Sequence, residues 1–345
     1  MPTPTPKSTP TPLTHDGPVR WGILGAGVIA GSAGADLRDT PDNTVHAVGA
    51  RDLDRARALA DTLGAPTAYG SYAELVADPD VDVVYVATTH GQHHEHALLA
   101  VEAGKPVLVE KAFTLTERQA REVVDAAGAR GVFCMEAMWT RLHPLVRRAR
   151  EIVAAGTIGE VVSVTADHGW AFDYDPAHRL FDLAAGGSAL LDLGVYAATF
   201  PWLFLGAPDD VVATGRRSPT GSDSTVAMLW SYADGRYANV SCTVEAFSPC
   251  EATVVGTGGW LTFRRPLFRP TSLLVHVGSP RDGVEEELTA PVEGNGYRPQ
   301  FAEVARCLRA GLVESPLVPH ADTVAIMGLM DRARLAVGAR FPADD

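Results

Sequence analysis

The chain has 345 residues, enough for two domains with separate cores, and its 46% hydrophobic and 21% charged residues are those of a globular protein. A formal charge of −13 argues against nucleic acid or an anionic membrane surface as partner, since both need a basic face. The four cysteines (Cys134, Cys242, Cys250, Cys307) lack metal-finger spacing and read as reduced thiols. With no long apolar run and no leader pattern, they predict a cytoplasmic protein.

Residues 1–18, rich in Pro and Thr, predict a disordered tail. Trp21, Ile23 and Leu24 then supply the apolar run of a buried strand, and Gly25-Ala26-Gly27-Val28-Ile29-Ala30 turns into a helix. This is the G-x-G-x-x-A spacing of a dinucleotide site. Gly25 permits the turn, Gly27 lets the backbone approach a pyrophosphate, and Ala30 keeps helix and sheet close. The N–H groups of Val28 and Ile29 and the helix dipole would receive the anion. Strands are expected at 45–50, 83–87, 107–110 and 132–136, with helices at 29–37, 53–63 and 92–103. Thr116-Glu117-Arg118-Gln119 reads as a capping box opening another helix. Repeated βα units of this kind predict a doubly wound parallel sheet in a first domain, 19–138.

After His143 the rhythm changes. Helices are expected at 145–155 and 188–203, and strands at 161–166, 211–215, 224–232, 236–245, 252–256, 260–263 and 272–277. Asp234-Gly235 signals a two-residue hairpin of the I′ kind. Two helices, 300–309 and 321–337, finish the chain. The second domain, 139–345, is therefore α+β with a large, mostly antiparallel open sheet.

Three places carry chemistry. An enzyme for NAD puts Asp or Glu at the end of the second strand to accept from the ribose 2′-OH. Here Val48-Gly49-Ala50 is followed by Arg51 and, one helical turn on, Arg55. Guanidiniums at i and i+4 share a face and suit a 2′-phosphate. That predicts NADP(H); the other reading leaves both arginines solvated and gives Asp52 the acid's part. Glu110-Lys111 stands at the carboxyl end of a parallel strand, where open α/β sheets bind ligands. Lys111 is either a solvated charge or a cation that favours an alkoxide and lowers a neighbour's pKa. Asp192 and Tyr196, at i and i+4, face the same way on a helix. A tyrosine serves as acid or base near neutral pH only if a cation lowers its pKa from about 10, and Lys111 could be that cation. The alternative is a buried Tyr whose hydroxyl meets Asp192.

Jointly, the Gly25/Gly27/Ala30 turn, Ala87-Thr88-Thr89-His90-Gly91-Gln92-His93, Ala103-Gly104-Lys105, Glu110-Lys111 and the glycine-rich run to Asp192 and Tyr196 resemble the glucose–fructose oxidoreductase/inositol dehydrogenase (Gfo/Idh/MocA) family. The resemblance runs from Val19 to Pro342. Met135-Glu136-Ala137-Met138-Trp139-Thr140-Arg141, Leu190 to Tyr196 and Glu314-Ser315-Pro316 look most like its branch of dimeric dihydrodiol dehydrogenases and NADP-dependent D-xylose dehydrogenases. The resemblance implies a Rossmann first domain, Tyr196 as acid/base with Lys111 beside it, and Asp192 bonding substrate or lysine. It also implies Arg51 and Arg55 on the 2′-phosphate, His90 at the nicotinamide end, and Thr88, His93, Glu110, Trp139 and Arg141 along the cofactor. A homodimer or homotetramer through the open sheet is implied as well. One departure stands out: the family follows Glu-Lys with Pro, whereas residue 112 is Ala. A cis bond before a non-proline residue costs about 2.5–4 kcal/mol, so the sequence leaves open whether the Lys111–Ala112 peptide runs cis, as in the family, or trans.

His90, His93, His94 and His96 look like a metal cluster, but His93 and His94 point apart on a helix, and no metal is expected. Trp170, Phe172 and Arg179, in the long connection before Gly186, form either a substrate wall or core packing. The run from Gly256 to Gly259 reads as a hairpin from which Trp260 could reach the pocket. The expected function is NADP(H)-dependent hydride transfer to or from a carbinol carbon of a pyranose sugar or trans-dihydrodiol. A ketoreductase of a nucleotide-linked keto-deoxysugar and a non-catalytic cofactor-sensing regulator are the alternatives.

Overall fold

The computed structural model describes Leu13 and residues 15–344. The chain forms two compact units: one runs to Trp139 and takes in Val292–Val324, and the other holds Thr140–Pro291 and the chain from Ala325 on.

The first unit alternates β1 (Val19–Leu24), α1 (Val28–Arg38), β2 (Asn43–Gly49), α2 (Leu53–Leu63), β3 (Thr67–Tyr69), α3 (Tyr72–Ala77), β4 (Val83–Val86), α4 (His90–Glu102), β5 (Val107–Glu110), α5 (Glu117–Arg130) and β6 (Cys134–Ala137). Its six strands are all parallel, in the order β3-β2-β1-β4-β5-β6. β4 and β5 are buried along their whole length, as strands covered on both faces must be. Helix starts are capped by the residues that the sequence offers. Asp52 accepts from Asp54 N and Arg55 N, Ser71 from Glu74 N, and Thr116 from Gln119 N, while Gln119 reaches back to Leu115 N. Lys105 donates to the carbonyls of Asp78 and Val81 at 2.7 Å each, and so holds the turn before β4.

The sequence division puts 139–345 in the second domain; contacts assign Trp139 and Val292–Val324 to the first unit instead. The cause is physical. Phe301, fully buried on α8 (Arg298–Arg309), sets its ring edge-on to Trp21 (5.3 Å) and Tyr85 (5.7 Å). Burial of one such ring contributes about 1.5–3 kcal/mol. Asp36 of α1, also buried, accepts from Asn295 N at 2.9 Å and Tyr297 N at 2.8 Å. The tail reading needs a similar correction: His15 Nε2 lies 3.0 Å from Asp82 Oδ2, and Gly17 O accepts from Arg309, so residues 15–18 are docked. Residues 1–12 and Thr14 lie outside the described residues.

The second unit opens with α6 (Pro144–Ala154) and β7 (Val161–Gly169). A π turn (Leu190–Gly194) then leads into α7 (Val195–Leu205). Its remaining strands are β8 (Asp210–Arg217), β9 (Asp223–Ser231), β10 (Tyr237–Thr243), β11 (Ala252–Gly256), β12 (Gly259–Phe263), β13 (Ser272–Val277) and β14 (Val284–Thr289). The sheet runs β14-β13-β12-β11-β7-β10-β9-β8 and is antiparallel except for the pair β7 and β10. Phe200 and Phe204 of α7 meet Phe263, which marks the face that α7 covers. α9 (His320–Ala336) begins in the first unit and continues in the second.

The hairpin at Asp234-Gly235 differs from the expected I′ form. Tyr232 N donates to Arg236 O and Gly235 N to Tyr232 O, which closes a three-residue loop. Gly235 takes positive φ (89°) and Asp234 does not, whereas I′ needs it at both. Between β11 and β12 the pairing of Gly256 with Gly259 bears out the expected hairpin. β3, α3 and β14 went unread, being three to six residues long and without a clear period.

Candidate active site

The turn between β1 and α1 separates two reasons for a glycine. Gly25 has φ 113°, and a Cβ there would lie 2.6 Å from Ala87 O, so the fold itself requires it. Around Gly27 a Cβ would meet nothing within 4 Å. The bare side of Gly27 suits a ligand that comes close, not a packing demand. Ala30 is fully buried against the sheet. α1 has no side-chain cap and no acid in its first turn, unlike α2, α3 and α5, and Val28 at its start is 89% exposed. A helix start left with its donors and dipole uncompensated fits a pyrophosphate.

At the end of β2 the acid is engaged elsewhere. Asp52 Oδ1 caps α2 at 3.0 and 3.2 Å. Arg55 Nη2 donates to Ala26 O inside the glycine turn at 2.8 Å, and Arg51 is exposed.

Across the carboxyl ends of β4 and β5 the histidines organise backbone. His90 Nε2 donates to Lys111 O (3.2 Å) and His93 Nδ1 to Ala112 O (2.8 Å). His93 is wholly buried, and its pKa falls to about 4 through loss of solvation, so the ring is neutral. His96 Nδ1 pairs with the Thr88 hydroxyl at 3.0 Å, and His94 Nε2 lies 2.8 Å from Glu122. Buried Glu110 accepts the phenol of Tyr85 on one oxygen and Lys111 N on the other (3.2 Å). The Lys111–Ala112 peptide, which the sequence left open, is cis, and the carbonyls of both residues are the ones that His90 and His93 hold. Trp139 packs on Tyr297 with centroids 4.6 Å apart.

In the second unit Tyr196 is buried, with its ring 5.3 Å from Phe268 and 5.8 Å from His168. Asp192, one turn earlier, receives a forked pair from Arg179 at 3.0 and 3.3 Å. Such a bidentate bond fixes the carboxylate's rotamer as well as its charge. Arg179, left by the sequence between substrate wall and packing, has Asp192 as partner. The Phe268 loop is tied down through Leu267 N to Cys250 O and Thr140 Oγ1 to Phe268 O. Arg141 is buried one residue after Thr140. Trp170 is half exposed and meets Phe247 edge-on, and Phe172 lies beside His178. Trp260 is corrected: it stacks on His276 at 3.7 Å, three residues from Phe263 along β12. Alternation therefore puts it on the sheet face away from α7 and Tyr196. His168, Phe268 and Tyr297 were missed. His168 alone left a trace, as a polar residue on the apolar repeat Val164, Ala166.

Among the described residues the one cluster spaced for a metal is His46, Asp78 and Asp80, away from the histidines of α4. It is already satisfied, since Asp78 accepts from Tyr69, meets His46 and caps Asp80 N, and Asp80 pairs with Arg20. All four cysteines are buried thiols. No helix among the described residues is long and apolar enough to cross a membrane.

A glycine turn of this kind, between a strand and a helix of a parallel sheet, marks a dinucleotide-binding domain. The chain belongs to the Gfo/Idh/MocA family: residues 19–138 match its oxidoreductase, NAD-binding Rossmann model and 146–262 its C-terminal domain model. It is 39% identical over 338 residues to trans-1,2-dihydrobenzene-1,2-diol dehydrogenase of Mus musculus, covering 94% of this chain and 99% of that one. The Homo sapiens protein of that name is 36% identical over 333 residues, with the same coverage. Among solved structures, a 3-ketoreductase from Actinomadura kijaniata in complex with NADP and TDP-benzene superposes with TM-score 0.82 at 27% identity, over 93% of this chain and 98% of that one. Levoglucosan dehydrogenase in complex with NADH, 18% identical with TM-score 0.84 over 92% and 96%, shares the fold. The chain is thus a dehydrogenase/reductase acting on CH–OH groups.

Proposed function

We propose that this enzyme uses NADP(H) to oxidise a secondary alcohol on a ring, a trans-dihydrodiol or a pyranose sugar. The observation that carries the cofactor half is the capping role of Asp52. It withdraws the acid that would hold a ribose 2′-OH and leaves Arg51 and Arg55 at the strand end. The nicotinamide supplies the hydride acceptor when bound. Gly25, Gly27, Val28, Ile29 and Ala30 hold the pyrophosphate, and Arg51 and Arg55 the 2′-phosphate. Thr88, His90, His93, Glu110, Trp139 and Arg141 line the rest of the cofactor. Tyr196 takes the hydroxyl proton as the carbinol carbon is oxidised, and Lys111 supplies the positive charge that stabilises its phenolate. Asp192, held by Arg179, orients the substrate, with Trp170 and Phe172 as an apolar wall.

Two further readings go with it. The outer face of the second unit's sheet, with Val212, Leu229 and Val255 exposed, pairs with a second copy in a homo-oligomer. Four unpaired thiols support residence in the cytoplasm. The reverse reaction, reduction of a nucleotide-linked keto-sugar, is the second reading, favoured by the likeness to the 3-ketoreductase. An activity screen of dihydrodiols, aldoses and keto-sugars with NADP+ and NADPH decides between them. Turnover of the diol or aldose with NADP+ supports the first, and turnover of keto-sugars alone supports the second.

A further inference from the structure

Along β7, Val164, Ala166 and His168 share the face that packs on α7, and the third is a buried imidazole where the pattern calls for an apolar group. Its Nδ1 lies 3.3 Å from Leu193 O, a carbonyl of the π turn between Asp192 and Tyr196. A carbonyl can only accept, so Nδ1 carries a hydrogen. The ring also sits 5.8 Å from Tyr196 and 5.1 Å from Phe268. π turns are rare and occur mostly at functional sites. This one is held from outside at both ends: Asp223 Oδ1 accepts from Leu190 N at 2.7 Å where it begins, and His168 donates to Leu193 O near its exit.

We infer that His168 is a positioning residue: through Nδ1 it fixes the exit of the π turn, and thereby the direction in which Tyr196 presents its phenol. Asp192 and Tyr196 lie on either side of the tethered carbonyl, so a shift there moves both at once. The inference rests on the proposed role of Tyr196.

Three variants of the full chain separate the possible uses of the ring. In His168→Asn the amide nitrogen occupies the place of Nδ1 and keeps the tether. His168→Gln reaches the place of Nε2, and His168→Phe keeps the ring alone. Assayed with a trans-dihydrodiol or D-xylose and NADP+, the Phe variant should lose about 10- to 100-fold in kcat with KM for NADP+ unchanged. The Asn variant should recover most of that loss and the Gln variant should not. A Phe variant as fast as the native enzyme overturns the inference, and so does recovery in Gln but not Asn. A readout without turnover keeps the two layers apart. The ¹⁵N shifts of the His168 ring should report a hydrogen on Nδ1; an unprotonated Nδ1 overturns the tether whatever Tyr196 does. Full turnover in Tyr196→Phe would instead remove the acid/base reading and leave the tautomer result standing.

Discussion

Two helices begin at the residues on which the proposed function rests, α1 at Val28 and the π turn into α7 at Leu190. The first start is bare: no side chain caps it, Val28 is exposed, and a side chain at Gly27 would touch nothing. At the second, all five residues of the turn are buried, and its backbone is taken up by Asp223, Ser188 and His168. A binding site made of backbone donors has to keep those donors unpaired and approachable. A site that moves a proton through one side chain has to surround that side chain with groups that fix its aim.

Substitutions can break this contrast, and the largest effect belongs to the buried start. Tyr196→Phe should lower kcat by about 10²- to 10⁴-fold in stopped-flow hydride transfer, with the thermal midpoint close to native. Turnover at the native rate would remove the acid/base assignment. At the bare start, Arg51→Ala should weaken NADPH about 10- to 100-fold by calorimetry and leave NADH almost unchanged, since only the former carries the 2′-phosphate. Equal losses for both would return the arginine to solvent.

Two neighbouring glycines give a finer test. Gly25→Ala meets both a positive φ and the Ala87 carbonyl, and should cost about 1–3 kcal/mol in denaturant unfolding. Gly27→Ala should leave stability within about 0.5 kcal/mol of native and show its loss only in dinucleotide affinity. A drift with pH tests the buried histidines. His93 and His143, driven down by burial to about 4 from 6.5, stay neutral in the fold while the unfolded chain takes up protons. Stability should therefore fall as pH drops from about 6.5 towards 4 and stay level above that range. In His143→Asn the slope of the thermal midpoint over this interval should shrink.

What could be read from the chain follows the same contrast. The glycine turn, the βα alternation and the capping box at Thr116 are local, because each is set by residues within a few positions of one another. The doubly wound parallel sheet and the mostly antiparallel second sheet followed from such local signals, whereas the strand order and the three-residue β3 did not. The surroundings of Tyr196 and Asp192 were not legible, since His168 and Phe268 reach Tyr196 from a strand and a hairpin loop, and Arg179 reaches Asp192 from a long connection. Trp260 was misjudged for the same reason: an aromatic near a glycine run says nothing of which sheet face it occupies, and Phe263 against α7 decided it. The π turn also left no mark, since its sequence reads as ordinary helix. The isomer of the peptide after Lys111 was not legible either, and the two histidines that bond the adjoining carbonyls lie about twenty positions earlier.

The packing of Phe301 on Trp21 and Tyr85 bears on how the molecule is made. Synthesis delivers the whole parallel sheet long before the helix that covers those two rings leaves the ribosome. During that interval the nucleotide-binding half carries an uncovered aromatic patch, and Asp36 waits for the backbone of residues 295–297. Its completion is therefore a late event in biosynthesis, and a gene fragment cut after Trp139 would encode a protein prone to aggregate, not an independent cofactor-binding module.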